Sequence, residues 1–171
     1  MNAMTEGASA QPTPSGMGVT PPIQEFLSFK LGHEEYGMDI LRVQEIRSYE
    51  APTRMAHTPG YMLGVINLRG VIVPIIDLRL QFGLSNVAYD DFTVVIVLNI
   101  GAQVVGIVVD GVSDVITLTA DQQRDVPEMS GNVHSDCLMA IGSVGARMIM
   151  LLDIEKLMTS PDMGLLPSSL N

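Results

Sequence analysis

Apolar residues in this chain come in short runs broken by glycine and by polar turns, without the three-and-four spacing of amphipathic helices. That pattern predicts strands. The clearest instance is INLRGVIVPIIDLR from Ile66 to Arg79. Asn67, Leu68, Arg69 and Gly70 separate the apolar runs Leu63–Ile66 and Val71–Ile76, and Asn and Gly supply the backbone angles of a tight reversal, so a hairpin is predicted with Arg69 at its tip. Pro74 has no N–H for a ladder and belongs near an edge or a bulge. Asp77 is placed to cap a short helix over Leu78–Phe82.

The same order of events returns as IGSVGARMIMLLDIEKLM from Ile141 to Met158, with Gly145 in the place of Arg69 and Asp153 in the place of Asp77. Upstream, Phe29–Ile46 lies over Leu98–Val115, which sets Gly32 on Gly101, Gly37 on Gly106 and Glu45 opposite Asp114. The chain therefore reads as one unit used twice. The second copy is longer, and the polar stretch Asp121–Asp136, with Pro127 and Gly131, is the expected site of the extra residues. A missing arginine at Gly145 suggests that only the first copy keeps a contact of the Arg69 type.

Nearly half of the 171 residues are apolar, enough for a substantial core, and with no Trp that core must be built from Val, Ile, Leu and Met. The expectation is a mainly β fold of two small barrels. Met1–Pro22 is rich in Ala, Ser, Thr, Gly and Pro without periodicity and is expected to be a disordered tail. Ser160–Asn171 reads as a second tail, with Met163–Leu166 partly extending the last helix. Val94–Val112 is apolar enough to suggest a membrane span, but Asn99, Gly101, Gln103 and Asp110 interrupt it, and two buried strands suit it better.

A net charge of −10 with nine scattered Lys and Arg argues against nucleic acid and against acidic membrane surfaces. The single cysteine, Cys137, cannot close an internal disulfide, and the N-terminal stretch lacks the charged and apolar regions of a secretory signal, so a cytoplasmic setting is expected. Candidate chemistry is thin. His134, Asp136 and Cys137 are close in sequence, yet nucleophilic triads converge from separate elements, and a polar loop followed by a buried thiol explains them. His33, Glu34 and Glu35 lack the second histidine of a zinc helix and read as a solvated hairpin turn. Among Asp39, Asp77, Asp90, Asp91, Asp110 and Asp114 no spacing selects a catalytic pair; Asp77 reads as a cap and the rest as turn or surface residues. No cofactor or metal is expected, and no enzymatic activity. A thiol hydrolase built on Cys137 and His134, and a small-ligand-binding barrel, are the rival classes; neither has a convergent polar constellation behind it.

Three segments taken together, YGMDILRVQEI, VINLRGVIVPIIDLR and VVGIVVDGVSDV, resemble the CheW chemotaxis adaptor family over about Gln24–Met158. The resemblance implies a fold of two SH3-like five-stranded β-barrels, intertwined over residues 23–159 between tails at 1–22 and 160–171. It implies a non-catalytic adaptor that couples the cytoplasmic tips of transmembrane chemoreceptors to the regulatory domain of the histidine kinase CheA, with self-association in receptor arrays possible. By position, Arg69, Val43, Glu45 and Val115 match the family's receptor-binding surface, while Asn67 and Gly70 shape the turn. Arg69 would offer its planar fork to a receptor carboxylate and the valines apolar contact, whereas Glu45 could equally pair with Arg42 or Arg47. A scaffold of the same fold serving another two-component pathway, such as surface motility, is the alternative.

Overall fold

In a computed structural model of the chain, residues 23–85, 87–126 and 137–159 are described. They form eleven strands in two sheets. The first hairpin is β1 (Gln24–Leu31) and β2 (Glu34–Asp39), followed by β3 (Val43–Ser48) and a second hairpin, β4 (Met62–Leu68) and β5 (Val71–Asp77), with helix α1 at Leu78–Gln81. The second half repeats this with β6 (Val94–Ile100), β7 (Gln103–Val109), β8 (Gly111–Leu118), the two-residue β9 (Gln123–Arg124), β10 (Leu138–Val144), β11 (Arg147–Leu152) and helix α2 at Ile154–Met158.

The halves do not fold side by side. One sheet runs β3-β6-β7-β5-β4 and the other β9-β10-β11-β2-β1-β8, so each takes its opening hairpin from the other half of the chain. Two short parallel pairings make the exchange, β5 with β7 and β11 with β2. Gly106 and Gly37 sit at those seams opposite Ile75 and Leu151. A Cβ at Gly106 would lie 2.7 Å from Ile75 Cδ1, and one at Gly37 would lie 3.1 Å from Leu151 Cδ2, so each glycine lets the facing side chain pack closely against the seam. The expected repeat is thus present in detail. Gly32 and Gly101 both take a left-handed φ in their turns, Asp77 and Asp153 both accept a backbone N–H of the helix they cap, and the N–H groups of the same aspartates donate to Tyr61 and Cys137 carbonyls, each at 2.7 Å.

Pro74 lies in an interior strand, but the pairing of β5 with β7 begins only at Ile75, so Val71–Pro74 are locally an edge on that side. Helix α1 ends one residue earlier than expected, with Phe82 as its C-cap. The apolar run from Val94 splits into β6 and β7 around a Gly101 turn, and among the described residues no helix is long and apolar enough to cross a membrane. The sixth strand of the larger sheet, β9, has only an isolated bridge between Thr53 and Val65 as its counterpart in the smaller one.

Three apolar clusters organise the interior. One lies within the smaller sheet (Val73, Ile75, Val95, Val97, Val108) and one within the larger (Phe26, Ile116, Leu118, Ile149, Leu151). The largest draws on both sheets, with Phe29, Met38, Ile76, Leu98, Ile107, Ile154 and Met158 in one buried group. Burying each such side chain contributes roughly 1.5–3 kcal/mol, so the two sheets stabilise each other through this shared core. The N- and C-terminal tails, His134, Asp136 and most of the extra segment of the second copy lie outside the described residues.

Gly64 marks a further close approach. Its φ is +148°, and a Cβ there would stand 2.0 Å from the Thr53 carbonyl oxygen, which accepts the Val65 N–H at 2.9 Å. Gly64→Ala is expected to break the Thr53–Val65 bridge and to lower stability by about 2 kcal/mol, through the combined cost of the backbone conformation and the clash. Urea unfolding checks this; an unchanged midpoint would mean that the 51–60 segment moves away freely.

Candidate functional site

The β4–β5 turn is a two-residue reversal, with Leu68 and Val71 paired and both intervening residues at positive φ, +54° at Arg69 and +89° at Gly70. Asn67 does not take the left-handed angle itself. Its side-chain oxygen accepts the Gly70 N–H at 2.8 Å and so holds the turn closed. The left-handed conformation falls on Arg69, a residue with a Cβ, at a cost of roughly 1–2 kcal/mol. In the second copy the same position is Gly145, φ +60°, which carries no such cost.

Arg69 is about two-thirds exposed, and its guanidinium donates to a Glu45 carboxylate oxygen. The other oxygen of Glu45 accepts from Arg47 at 3.3 Å, and Arg47 lies 3.8 Å from Glu50. Hydrogen bonding from Arg69 holds the Glu45 carboxyl below the usual carboxylate range against some desolvation. β3 and β4 are at opposite ends of the sheet order, so an ion pair between Glu45 on one and the turn that follows the other clips the curled sheet shut. The expected pairing of Glu45 with Arg47 is present; Arg42 instead pairs with Glu155. Arg69 therefore already holds an internal carboxylate.

Val43, Glu45 and Arg47 share the half-buried face of β3, where Val43 packs against the shared core. Val115 is half exposed on β8, opposite Leu27, in the other sheet. By the repeat it occupies the position of Ile46, which is also exposed. The candidate set thus falls into a linked group on the smaller sheet, Val43, Glu45 and Arg69, and a separate apolar position on the larger one.

Two clusters were missed in the sequence. The first concerns Arg147. Gly145 has no side chain, yet Arg147 two residues later donates to Asp114 at 2.9 Å, to Glu35 and to Ser28 at 3.3 Å. Asp114 is the repeat counterpart of Glu45, so the second half has its own arginine–carboxylate clip, supplied from the start of β11 rather than from the turn. The Arg147 hydrogen bond keeps the Glu35 carboxyl low, which also corrects the reading of Glu35 as a solvated turn residue. The signal was present in the run G-A-R at the head of an apolar strand.

The second is Arg79, fully buried beside Asp77. Its Nε and Nη2 donate to the two Asp77 oxygens at 3.0 and 2.9 Å, and its Nη1 donates to Asp110 at 2.9 Å and to the Ala88 carbonyl at 2.8 Å. Burial works against the guanidinium's charge, but the hydrogen bonds to Asp77 and Asp110 outweigh it and raise its pKa. Asp110 also accepts the Gly32 N–H at 2.7 Å, so it is a cross-link rather than a plain turn residue. Asp77 is a cap, accepting the Arg79 N–H, and an ion-pair partner at once. Asp-x-Arg at a strand end was the available cue.

Cys137 is buried and its carbonyl accepts the Asp153 N–H, while His134 and Asp136 lie outside the described residues. The exposed surface offers charge and apolar contact to a partner. Replacing Arg69 with glycine gives the first turn glycine at the position where the second has Gly145: relief of the left-handed cost offsets the lost ion pair and the freer glycine backbone, so thermal stability is expected to be no lower than that of the wild type. A melting curve checks this; a clear loss would show that the clip outweighs the strain.

Residues 25–162 match the family model described as CheW-like domain. A chemotaxis protein CheW of Klebsiella aerogenes is 60% identical over 142 residues, covering 83% of this chain and 86% of the relative. A probable chemotaxis protein CheW of Rhizobium etli is 37% identical over 139 residues, covering 81% and 90%. The crystal structure of the scaffolding protein TtCheW of Thermoanaerobacter tengcongensis superposes with a TM-score of 0.73 at 28% identity, over 83% of this chain and 95% of that one.

Proposed function

The chain belongs to the CheW family, whose named relatives are chemotaxis scaffolds, and from that premise we propose that it couples transmembrane chemoreceptors to the histidine kinase CheA without catalysing a reaction itself. On this reading residues 23–159 act as one adaptor unit at membrane-bound receptor arrays, with Arg69, Val43, Glu45 and Val115 meeting the receptor tip and another face meeting the regulatory domain of the kinase. The observation that carries the proposal is the backbone of Arg69. An arginine stands in a left-handed turn position where the other half of the molecule uses glycine, and strain at an exposed tip supports a role for that side chain in contact.

Arg69 suits the task chemically. Its fork can bond a partner carboxylate with two parallel N–H donors, and half-buried Val43 and exposed Val115 add apolar area. Because Glu45 already satisfies one side of the guanidinium, a receptor carboxylate must either share the fork or displace Glu45. Control of the kinase then follows from differential affinity: an adaptor changes output only by binding one arrangement of receptor or kinase more tightly than the other.

The test is CheA autophosphorylation with receptor-containing membranes, with and without the full-length protein. Strong activation that depends on both receptor and added protein is expected. An unchanged rate, in a system that responds to a known adaptor, would overturn the coupling assignment for that kinase.

A further inference from the structure

The two arginine–carboxylate clips differ in how the carboxylate is held. In the second half, Asp114 accepts from Arg147 with both oxygens, at 2.9 and 3.2 Å. In the first half, the oxygens of Glu45 are divided between two arginines. One oxygen is held closely by Arg69 Nη2, while the other meets Arg47 Nη1 at 3.3 Å, longer than the roughly 2.7–2.9 Å of a well-formed charge-assisted bond. The remaining terminal nitrogen of Arg47 lies 3.8 Å from the exposed carboxylate of Glu50. Arg47 therefore has donors in reserve beside Glu45. Continuing the repeat by one residue sets Arg47 on Ile116, which is buried in the apolar cluster of the larger sheet, so the Asp114 clip has no such second arginine.

That reserve answers a difficulty at the turn. Arg69 is the exposed member of its pair and Glu45 the covered one. A carboxylate arriving from solvent at the Arg69 fork brings its charge up to Glu45, and two carboxylates on one guanidinium repel. If Glu45 withdrew with no other partner, a largely covered charge would be left unpaired. Glu45 and Arg47 stand two residues apart on β3, with Val97 and Val95 of β6 as their register partners, so their side chains leave the same face of a strand held in place by its ladder.

We propose that Arg47 is a positioning residue for the Arg69 contact: when a partner carboxylate engages Arg69, Glu45 passes to Arg47 and pairs with it through both oxygens, which frees the Arg69 fork for two parallel N–H bonds. The inference rests on the coupling reading above and adds to it a residue that does not touch the partner. Because one Glu45 oxygen is already turned toward Arg47, the handover is a side-chain rotation with the backbone of β3 unmoved. Every charge is paired before and after it.

Receptor-dependent CheA autophosphorylation, followed against the concentration of the full-length protein, tests the handover. Arg47→Gln is expected to raise the concentration for half-maximal activation by about three- to tenfold, the scale of one partly covered ion pair, with a melting curve as the control for folding. Arg47→Lys keeps the charge without the fork and loses less. In a Glu45→Gln background, where no charge needs a new partner, Arg47→Gln is expected to have no further effect. A second measurement needs no partner. In Arg69→Gln, carboxyl NMR is expected to show Glu45 still titrating below the ordinary carboxylate range, held there by Arg47, and returning to that range in Arg69→Gln/Arg47→Gln. Coupling by Arg47→Gln at the wild-type level, an equal loss with and without the Glu45 carboxylate, or an ordinary Glu45 titration in Arg69→Gln would each overturn the handover and leave the coupling reading standing. A wild type that does not activate the kinase would overturn both.

Discussion

Arg79→Met is expected to lower the stability of the fold by about 3–5 kcal/mol, the cost of leaving a buried charge without its partner. Methionine fills a similar length of space, so the loss is electrostatic rather than a cavity. Asp77 is fully buried and would keep only the Tyr89 hydroxyl and one backbone N–H around its carboxylate, while Asp110 and the Ala88 carbonyl would lose a donor. The damage would spread because Arg79 ties together the β5–α1 junction, the residue that joins β7 to β8, and the segment at residue 88, and Asp110 extends the tie to the β1–β2 turn. Arg79→Lys, a point charge without the fork, falls between. Adding Asp77→Ser to Arg79→Met keeps a cap, removes the stranded carboxylate and recovers part of the loss. Urea unfolding measures all three. A loss under about 1 kcal/mol for Arg79→Met would show that water replaces the guanidinium and that the network is not a structural tie.

Arg69→Glu is expected to leave the protein folded and to weaken receptor-dependent kinase activation at least tenfold. The side chain is mostly exposed, and the turn is held by Asn67 and Gly70, so the fold does not rest on it. Reversal replaces a donor fork by a carboxylate, turning attraction for an acidic partner into repulsion, and it also sets two carboxylates face to face at Glu45. These two effects separate in the swap Arg69→Glu/Glu45→Arg, which restores the internal pair while leaving the tip acidic. If Arg69 or Glu45 itself meets the receptor, coupling stays low in the swap. Full recovery would instead mean that the clip matters and Arg69 makes no contact of its own.

Much of this was legible one segment at a time. The hairpin at Arg69, the caps at Asp77 and Asp153 and the glycine pairs 32/101 and 37/106 follow from the angles or space that single positions demand, and such demands are written locally. The candidate surface residues came from motif resemblance, and the structure joined Glu45 to Arg69 while leaving Val115 on the other sheet. Reading Gly145 as a lost arginine missed Arg147 because the repeat compares positions, whereas an arginine side chain long enough to reach Asp114 can start two residues away.

By itself, then, the sequence determined that this protein is a twice-used, mainly β unit with an arginine at one tip, since periodicity, turn chemistry and composition act over a few residues. Only the tertiary structure decided that the halves exchange their opening hairpins and that Arg79 bolts Asp77 to Asp110. Each of these depends on contacts between residues far apart in sequence or on how a surface closes around them, and the energies that select such contacts, burial in a shared core and pairing of buried charge, have no period along the chain.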